Sequence, residues 1–191
     1  TILERGSGPK PDLAQAINNL ASVYLNQELF PEAETLFQRV LTLYDKLPDR
    51  KQRNILRGNG TNNLAVLYGN QANTLAENGQ AAEAGAAYDR MIGMLDAVIS
   101  LWTKEFGAGN INLSSPLQSR GEAYARKNQP AKAEPDFREA LKLRERFLAP
   151  KHPAIASTKN SLANVLLAQG KYPEAEQLLL AALQVRTETL G

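Results

Sequence analysis

Apolar and small residues recur at helical spacing twice within residues 153–191, with one polar break between the two runs. In the first run Ile155, Leu162, Ala163, Val165 and Leu166 keep close to a 3.6-residue repeat. Gln169-Gly170-Lys171 then interrupts it, since a glycine just past a helix end takes the left-handed conformation without a Cβ clash. Pro173 opens the second run in a first-turn position, where its missing N–H is harmless. Ala175, Leu178, Leu179, Ala182 and Leu183 form that run's apolar stripe. The pattern predicts two helices joined by a tight turn, with Ala163 and Ala175 letting the backbones approach closely.

The same arrangement occurs three more times, and internal repetition decides the fold class. A shift of 142 residues lays Pro11 on Pro153, Leu20 on Leu162, Ala21 on Ala163 and the PEAE of 31–34 on that of 173–176. A shift of 42 lays Gly121 on Ala163, Ala133 on Ala175 and Leu141 on Leu183. Residues 62–98 are the loosest copy, with Ala72, Gly79, Ala84 and Tyr88 in register. The anchor alanines Ala33, Ala84, Ala133 and Ala175 are separated by 51, 49 and 42 residues. Against a 42-residue unit, the first and second copies carry about nine and seven additional residues.

Leu20-Ala21-x-x-Tyr24 followed by Ala33-x-x-x-Phe37 resembles a tetratricopeptide repeat. The 42-residue spacing, the His152-Pro153 before a first helix and the Tyr172-x-Glu174-Ala175-Glu176 run resemble the kinesin light chain subtype. The resemblance covers nearly the whole chain. It implies an all-α fold: a right-handed α-α superhelix, or solenoid, of about four helix-turn-helix units and eight helices. Gln71 and Arg120 stand where Leu20 and Leu162 would be expected, so helix packing in the second and third copies is expected to differ.

The organisation expected along the chain is a flexible lead over 1–10, repeats over 11–47, 62–106, 107–149 and 150–191, and an insertion over 48–61 read as a solvated linker, with a helical extension ending at Gly58 or Gly60 as the alternative. First helices (A) are expected near Asp12–Gln27, Asn62–Glu77, Leu113–Arg126 and from Pro153. Second helices (B) are expected at Pro31–Lys46, Ala81–Glu105, Ala131–Phe147 and from Pro173. Ser114 or Ser115 is the expected N-cap of the third A helix, and Asn128 replaces the turn glycine there. The second B helix is about two turns longer than its siblings, and its extra turns hold Ile99, Leu101, Trp102 and Phe106. Trp102 is expected to pack on a neighbouring repeat; an exposed partner anchor is the alternative. A chain that opens on Thr1 and closes just after a repeat helix reads as a piece of a longer protein.

Composition adds mainly exclusions. Aromatics are only 6% of the chain, which suits packing through alanine and leucine. A formal charge of +2 gives no bulk pull toward nucleic acid or anionic lipid. No apolar run reaches the roughly 18 residues of a membrane span, and TILERGSGPK lacks a signal peptide's apolar centre. The expected compartment is the cytoplasm. There is no cysteine, and the one histidine, His152, is read as a turn or cap residue because no second ligand accompanies it. Gly58-Asn59-Gly60 and Gly107-Ala108-Gly109 match no phosphate-binding motif. Glu32/Glu34 and Glu174/Glu176 lie two apart, point away from each other on a helix, and read as first-turn acids. No catalytic residue, cofactor or metal site is expected.

The resemblance implies a concave groove lined by the A helices, in which a partner's peptide would lie. Carrying positions over copy by copy gives one ladder of Asn18, Gln118 and Asn160, with Gly69 as its gap. A second ladder is Ser22, Asn73, Glu122 and Asn164, flanked by Asn26, Glu77 and Arg126. Asparagine and glutamine offer both donor and acceptor to an extended backbone. Asn19 and Asn70, one position over, are expected to brace the helix junction. The function expected is a non-catalytic module binding a peptide or helical segment of a partner protein. The alternative is a scaffold self-associating, as a homo-oligomer, through the apolar end of the second B helix or the uncapped last repeat. No basic stripe recurs from copy to copy, so RNA binding is not expected.

Overall fold

The computed structural model describes residues 11–190, so the lead over 1–10 lies outside the described residues. Eight α-helices fill them: α1 Pro11–Asn26, α2 Phe30–Asp45, α3 Arg50–Glu77, α4 Ala81–Phe106, α5 Ser114–Arg126, α6 Pro130–Phe147, α7 Pro153–Ala168 and α8 Tyr172–Leu190. A single 3-10 turn, Ile111–Leu113, precedes α5, and the described residues contain no strand. Two compact units divide within α4, one ending at Met94 and the other beginning at Leu95. No helix among the described residues is long and apolar enough to cross a membrane.

One residue with positive φ closes each turn between paired helices: Glu28 (59°), Gly79 (79°), Asn128 (55°) and Gly170 (74°). These are spaced by the same 51, 49 and 42 residues as the anchor alanines. In each turn the next N–H bonds back five residues: Leu29 to Tyr24, Gln80 to Leu75, Gln129 to Tyr124 and Lys171 to Leu166, all at 2.9–3.0 Å. This is the bonding that a left-handed residue after a helix end makes possible. Asn128 enters that region at small cost. Glu28 has no such side-chain advantage and is held there by the turn.

The anchor alanines Ala33, Ala84, Ala133 and Ala175 are all at most 2% exposed, as are Ala21, Ala72 and Ala163 on the facing helices. Gly121 takes the fourth facing position, and a Cβ there would sit 3.0 Å from the buried Phe137 ring. Small residues on both sides thus set helix separation, and larger apolar residues fill the flanks.

Three expectations need correction. The insertion is not a linker: Asp49 caps α3 by accepting from Gln52 N at 2.6 Å, and the helix runs unbroken to Glu77. Gly58 and Gly60 are buried within it, and a Cβ on Gly60 would meet Leu41 of α2 at 2.9 Å. These glycines therefore admit a neighbouring helix instead of stopping their own. Arg53 donates to Leu47 O at 2.7 Å and Arg57 pairs with Asp45 at 2.7 Å, which ties the extension to the end of α2.

Neither Ser114 nor Ser115 caps α5, because the preceding 3-10 turn already supplies its entry and Asn110 caps that turn by accepting from Asn112 N. Leu20 is 43% exposed, although its counterpart Leu162 is 1% exposed; among the described residues no helix precedes α1 to cover it. The apolar end of α4 is not a free surface either. Trp102 is 1% exposed and clusters with Val98, Leu113, Leu117 and Leu143, while Ile99, Leu101 and Phe106 pack against that cluster. Trp102 is a packing residue, in line with the expectation for it.

In the second unit, Arg120 replaces the expected leucine with an ion-pair bridge. Its guanidinium reaches Asp136 of α6 at 2.6 Å and Asp96 of α4 at 2.6 Å, and Asp136 is buried. The hydrogen bond to Asp136 leads in holding the Arg120 proton more tightly than usual. At the next junction Glu134 of α6 accepts from Lys171 Nζ at 2.7 Å and Gln169 Nε2 at 2.9 Å, and pairs with Arg138 at 2.8 Å. Led by the Lys171 bond, these contacts pull the Glu134 carboxyl down to about 2. It therefore stays ionised, and the corner intact, well into acid.

Position 136 aligns with Leu36 and Leu178, and position 120 with Leu20 and Leu162. Arg120→Leu alone should strip the buried Asp136 of its cation and cost about 3–5 kcal/mol. Arg120→Leu combined with Asp136→Leu should recover most of that loss in urea melts. A double variant no more stable than the single one would refute the pairing.

Candidate functional site

In each unit a cleft lies where the C-terminal end of an A helix and its turn face the next A helix. In the first unit a cleft of about 320 Å³ is lined by Leu25, Asn26, Glu28 and Phe30, and by Asn70, Asn73, Thr74 and Glu77 of α3. In the second unit a cleft of about 390 Å³ is lined by Glu122, Ala125, Arg126, Asn128, Pro130 and Phe137, and by Ser161, Asn164, Val165 and Ala168 of α7.

The two clefts are the same place in the repeat. Ala33 to Ala133 is 100 residues, and adding 100 to 25, 26, 28 and 30 gives 125, 126, 128 and 130. Ala84 to Ala175 is 91 residues, and adding 91 to 70, 73, 74 and 77 gives 161, 164, 165 and 168. The left-handed turn residue, Glu28 or Asn128, forms part of each wall.

Six of the residues singled out in sequence line these clefts: Asn26, Asn73 and Glu77 in the first, and Glu122, Arg126 and Asn164 in the second. The Tyr88 hydroxyl donates to Asn73 Oδ1 at 2.6 Å, which orients that amide and leaves its nitrogen as the donor end. The other four do not line the clefts. Asn18 Oδ1 accepts from Asn63 at 2.9 Å, Ser22 donates to its own helix at Asn18 O, and Asn160 is half-buried on α7.

Gln118 departs furthest from the expectation. It is 7% exposed and fully engaged, donating to Glu122 at 2.7 Å and Ser161 at 3.0 Å and accepting from Arg144 at 3.2 Å. Arg144 is itself buried, also donating to the Ala154 carbonyl and the Thr158 hydroxyl, and burial lowers its pKa. These neutral acceptors hold a desolvated cation, so Gln118 belongs to the scaffold beneath the second cleft.

Asn70 corrects another expectation: it is exposed and lines the first cleft instead of bracing a junction. Asn19 is also at the surface, its Oδ1 accepting from Gln15 at 2.8 Å. The turn residues Glu28 and Asn128, and Phe30 and Pro130 behind them, were missed; their shared register was the available signal. His152 caps α7, its Nδ1 accepting from Ala154 N at 3.1 Å. No group of three or more potential metal ligands occurs among the described residues.

Sequence comparison matches the tetratricopeptide repeat family over residues 13–47 and again over 116–188. The chain is a tetratricopeptide repeat protein. No curated protein matches it in sequence. Among solved structures, BtubC (BKLC) from P. vanneervenii superposes with a TM-score of 0.56 at 21% identity, over 94% of this chain and 82% of that one. A kinesin light chain-type protein from Podosopora anserina, built of nearly identical TPR-like repeats, superposes with a TM-score of 0.50 at 17% identity, over 94% of this chain and 98% of that one. At such identities the likeness concerns the fold, and it agrees with the kinesin light chain-like spacing of these tetratricopeptide repeats.

Cleft and scaffold residues separate by their cost. Gln118→Ala should leave the Arg144 guanidinium short of an acceptor and destabilise the chain by about 1–3 kcal/mol. Asn164→Ala, exposed in the cleft, should change stability by no more than about 0.5 kcal/mol. Thermal melts giving the two variants equal losses would contradict the assignment.

Proposed function

We propose that this chain is a non-catalytic protein-interaction module that takes an extended or helical segment of a partner protein in its clefts. Tetratricopeptide repeats generally mediate protein–protein contacts, which sets the class. The observation that carries the reading is the recurrence of one cleft, position for position, in both units. Outside the buried anchor positions, these walls present amides and charges: Asn26, Asn70, Glu77, Glu122, Arg126 and Asn164 are all exposed.

Side-chain amides give a peptide backbone both donors and acceptors without selecting its side chains. Selection then falls to charge. The first cleft is walled by two carboxylates, Glu28 and Glu77, with no cation among its lining residues, which favours a lysine or arginine from the partner. The second offers Glu122 and Arg126 and so favours a polar residue able to meet both.

Peptides selected on the purified chain from a diverse library should bind it, with affinity measured by fluorescence polarisation. Asn164→Ala/Arg126→Ala should weaken the peptides that use the second cleft at least about tenfold, the loss of one or two charge-assisted contacts. Asn26→Ala/Glu77→Ala should do the same for those using the first. Selected peptides that bind all cleft variants as tightly as wild type would overturn the proposal.

A further inference from the structure

The two clefts share their positions but not their chemistry. Position 125 holds alanine where the first cleft has Leu25, position 165 holds valine where it has Thr74, and position 168 holds alanine where it has Glu77. Each difference makes the second cleft roomier or less polar. Valine in place of threonine deletes a hydroxyl, alanine in place of glutamate deletes a charge, and alanine in place of leucine leaves only the Cβ.

The floor differs accordingly. Phe37 and Phe137 are equivalent and each 1% exposed, yet only Phe137 lines its cleft. Ala125 packs against the apolar cluster that contains Phe137 and Val165, so the second cleft opens onto the core beneath it. In the first cleft the half-buried Leu25 occupies the corresponding point, and Phe37 does not border the opening. The second cleft is also the larger, about 390 Å³ against about 320 Å³. Its polar groups stay at the rim, where Glu122, Arg126 and Asn164 are exposed.

We propose that the second cleft takes a leucine-sized aliphatic side chain from the partner segment, which fills the space that Leu25 fills in the first unit and rests on Phe137, Val165 and Ala168. This rests on the proposed function of the clefts and adds the side chain by which the partner is anchored. Removing an aliphatic group from water is favourable in proportion to its apolar area. A charged side chain at that floor would lose its water and find no partner. The polar residue that meets Glu122 and Arg126 is then a neighbour of the anchor in the segment. The first cleft, with Leu25, Thr74 and Glu77, has no such floor and selects by charge.

The test uses library-selected peptides, sorted by whether Asn164→Ala/Arg126→Ala weakens them. Second-cleft peptides should share an aliphatic residue, and replacing it by alanine in the peptide should weaken binding about tenfold or more. Ala125→Leu should supply that side chain from the protein itself, as Leu25 does, and weaken the same peptides to a similar extent. First-cleft peptides should bind Ala125→Leu as they bind wild type. Circular dichroism melts establish that the variant folds, and the peptide substitution reads the anchor without altering the protein. Second-cleft peptides that tolerate loss of every aliphatic residue, or that bind a folded Ala125→Leu as tightly as wild type, would overturn this inference and leave the proposed function standing. A chain that binds no peptide would overturn both.

Discussion

The close approach of two helices at a small residue is the constraint on which the rest of this structure depends. Ala33, Ala84, Ala133 and Ala175 are buried, as are Ala21, Ala72, Gly121 and Ala163 facing them, and at Gly121 even a Cβ would sit 3.0 Å from the Phe137 ring. A short connection holds each pair of helices together. The three-residue turns supply it, each through one left-handed residue and a bond reaching back five positions. Because turn and anchor are locked in one register, the walls between an A helix and the next A helix also fall in that register. Packing geometry thus determines where the clefts lie, and the exposed residues there are free to vary in chemistry.

The repeat made most of the fold legible. Alanine spacing alone locates four helix pairs, and the expected ends of most helices lie within one or two residues of those observed. What stayed hidden depends on partners remote in sequence. Residues 50–61 carry glycines and scattered charge, a poor local helix signal; the helix persists because Gly60 lets α2 come close and Arg57 finds Asp45. Arg120 reads as a defect in the leucine pattern until Asp96 and Asp136 are seen converging on it. Leu20 looks like a core residue by pattern, yet it is exposed on α1 while its counterpart Leu162 is buried between helices.

The candidate site was legible in part for a similar reason. Ladder positions mark a helix face, and that face includes both the cleft wall and the layer beneath it. Asn164 and Gln118 look alike in sequence, yet one is solvent-facing and the other holds the buried Arg144. The turn residues escaped notice because glycine and asparagine at such sites are explained by backbone conformation alone. Glu28 is the exception: its side chain is not needed for φ = 59°, yet it lines the first cleft.

The central claim is that one register governs both the packing and the place where a partner binds. Amide chemical-shift mapping of the labelled chain, titrated with a peptide that it binds, tests this most directly. The account predicts changes grouped at 25–30 and 70–77, at 122–130 and 161–168, or at both sets. Changes concentrated instead on α8, or on the parts of α2 and α6 beyond Phe30, Pro130 and Phe137, would contradict it.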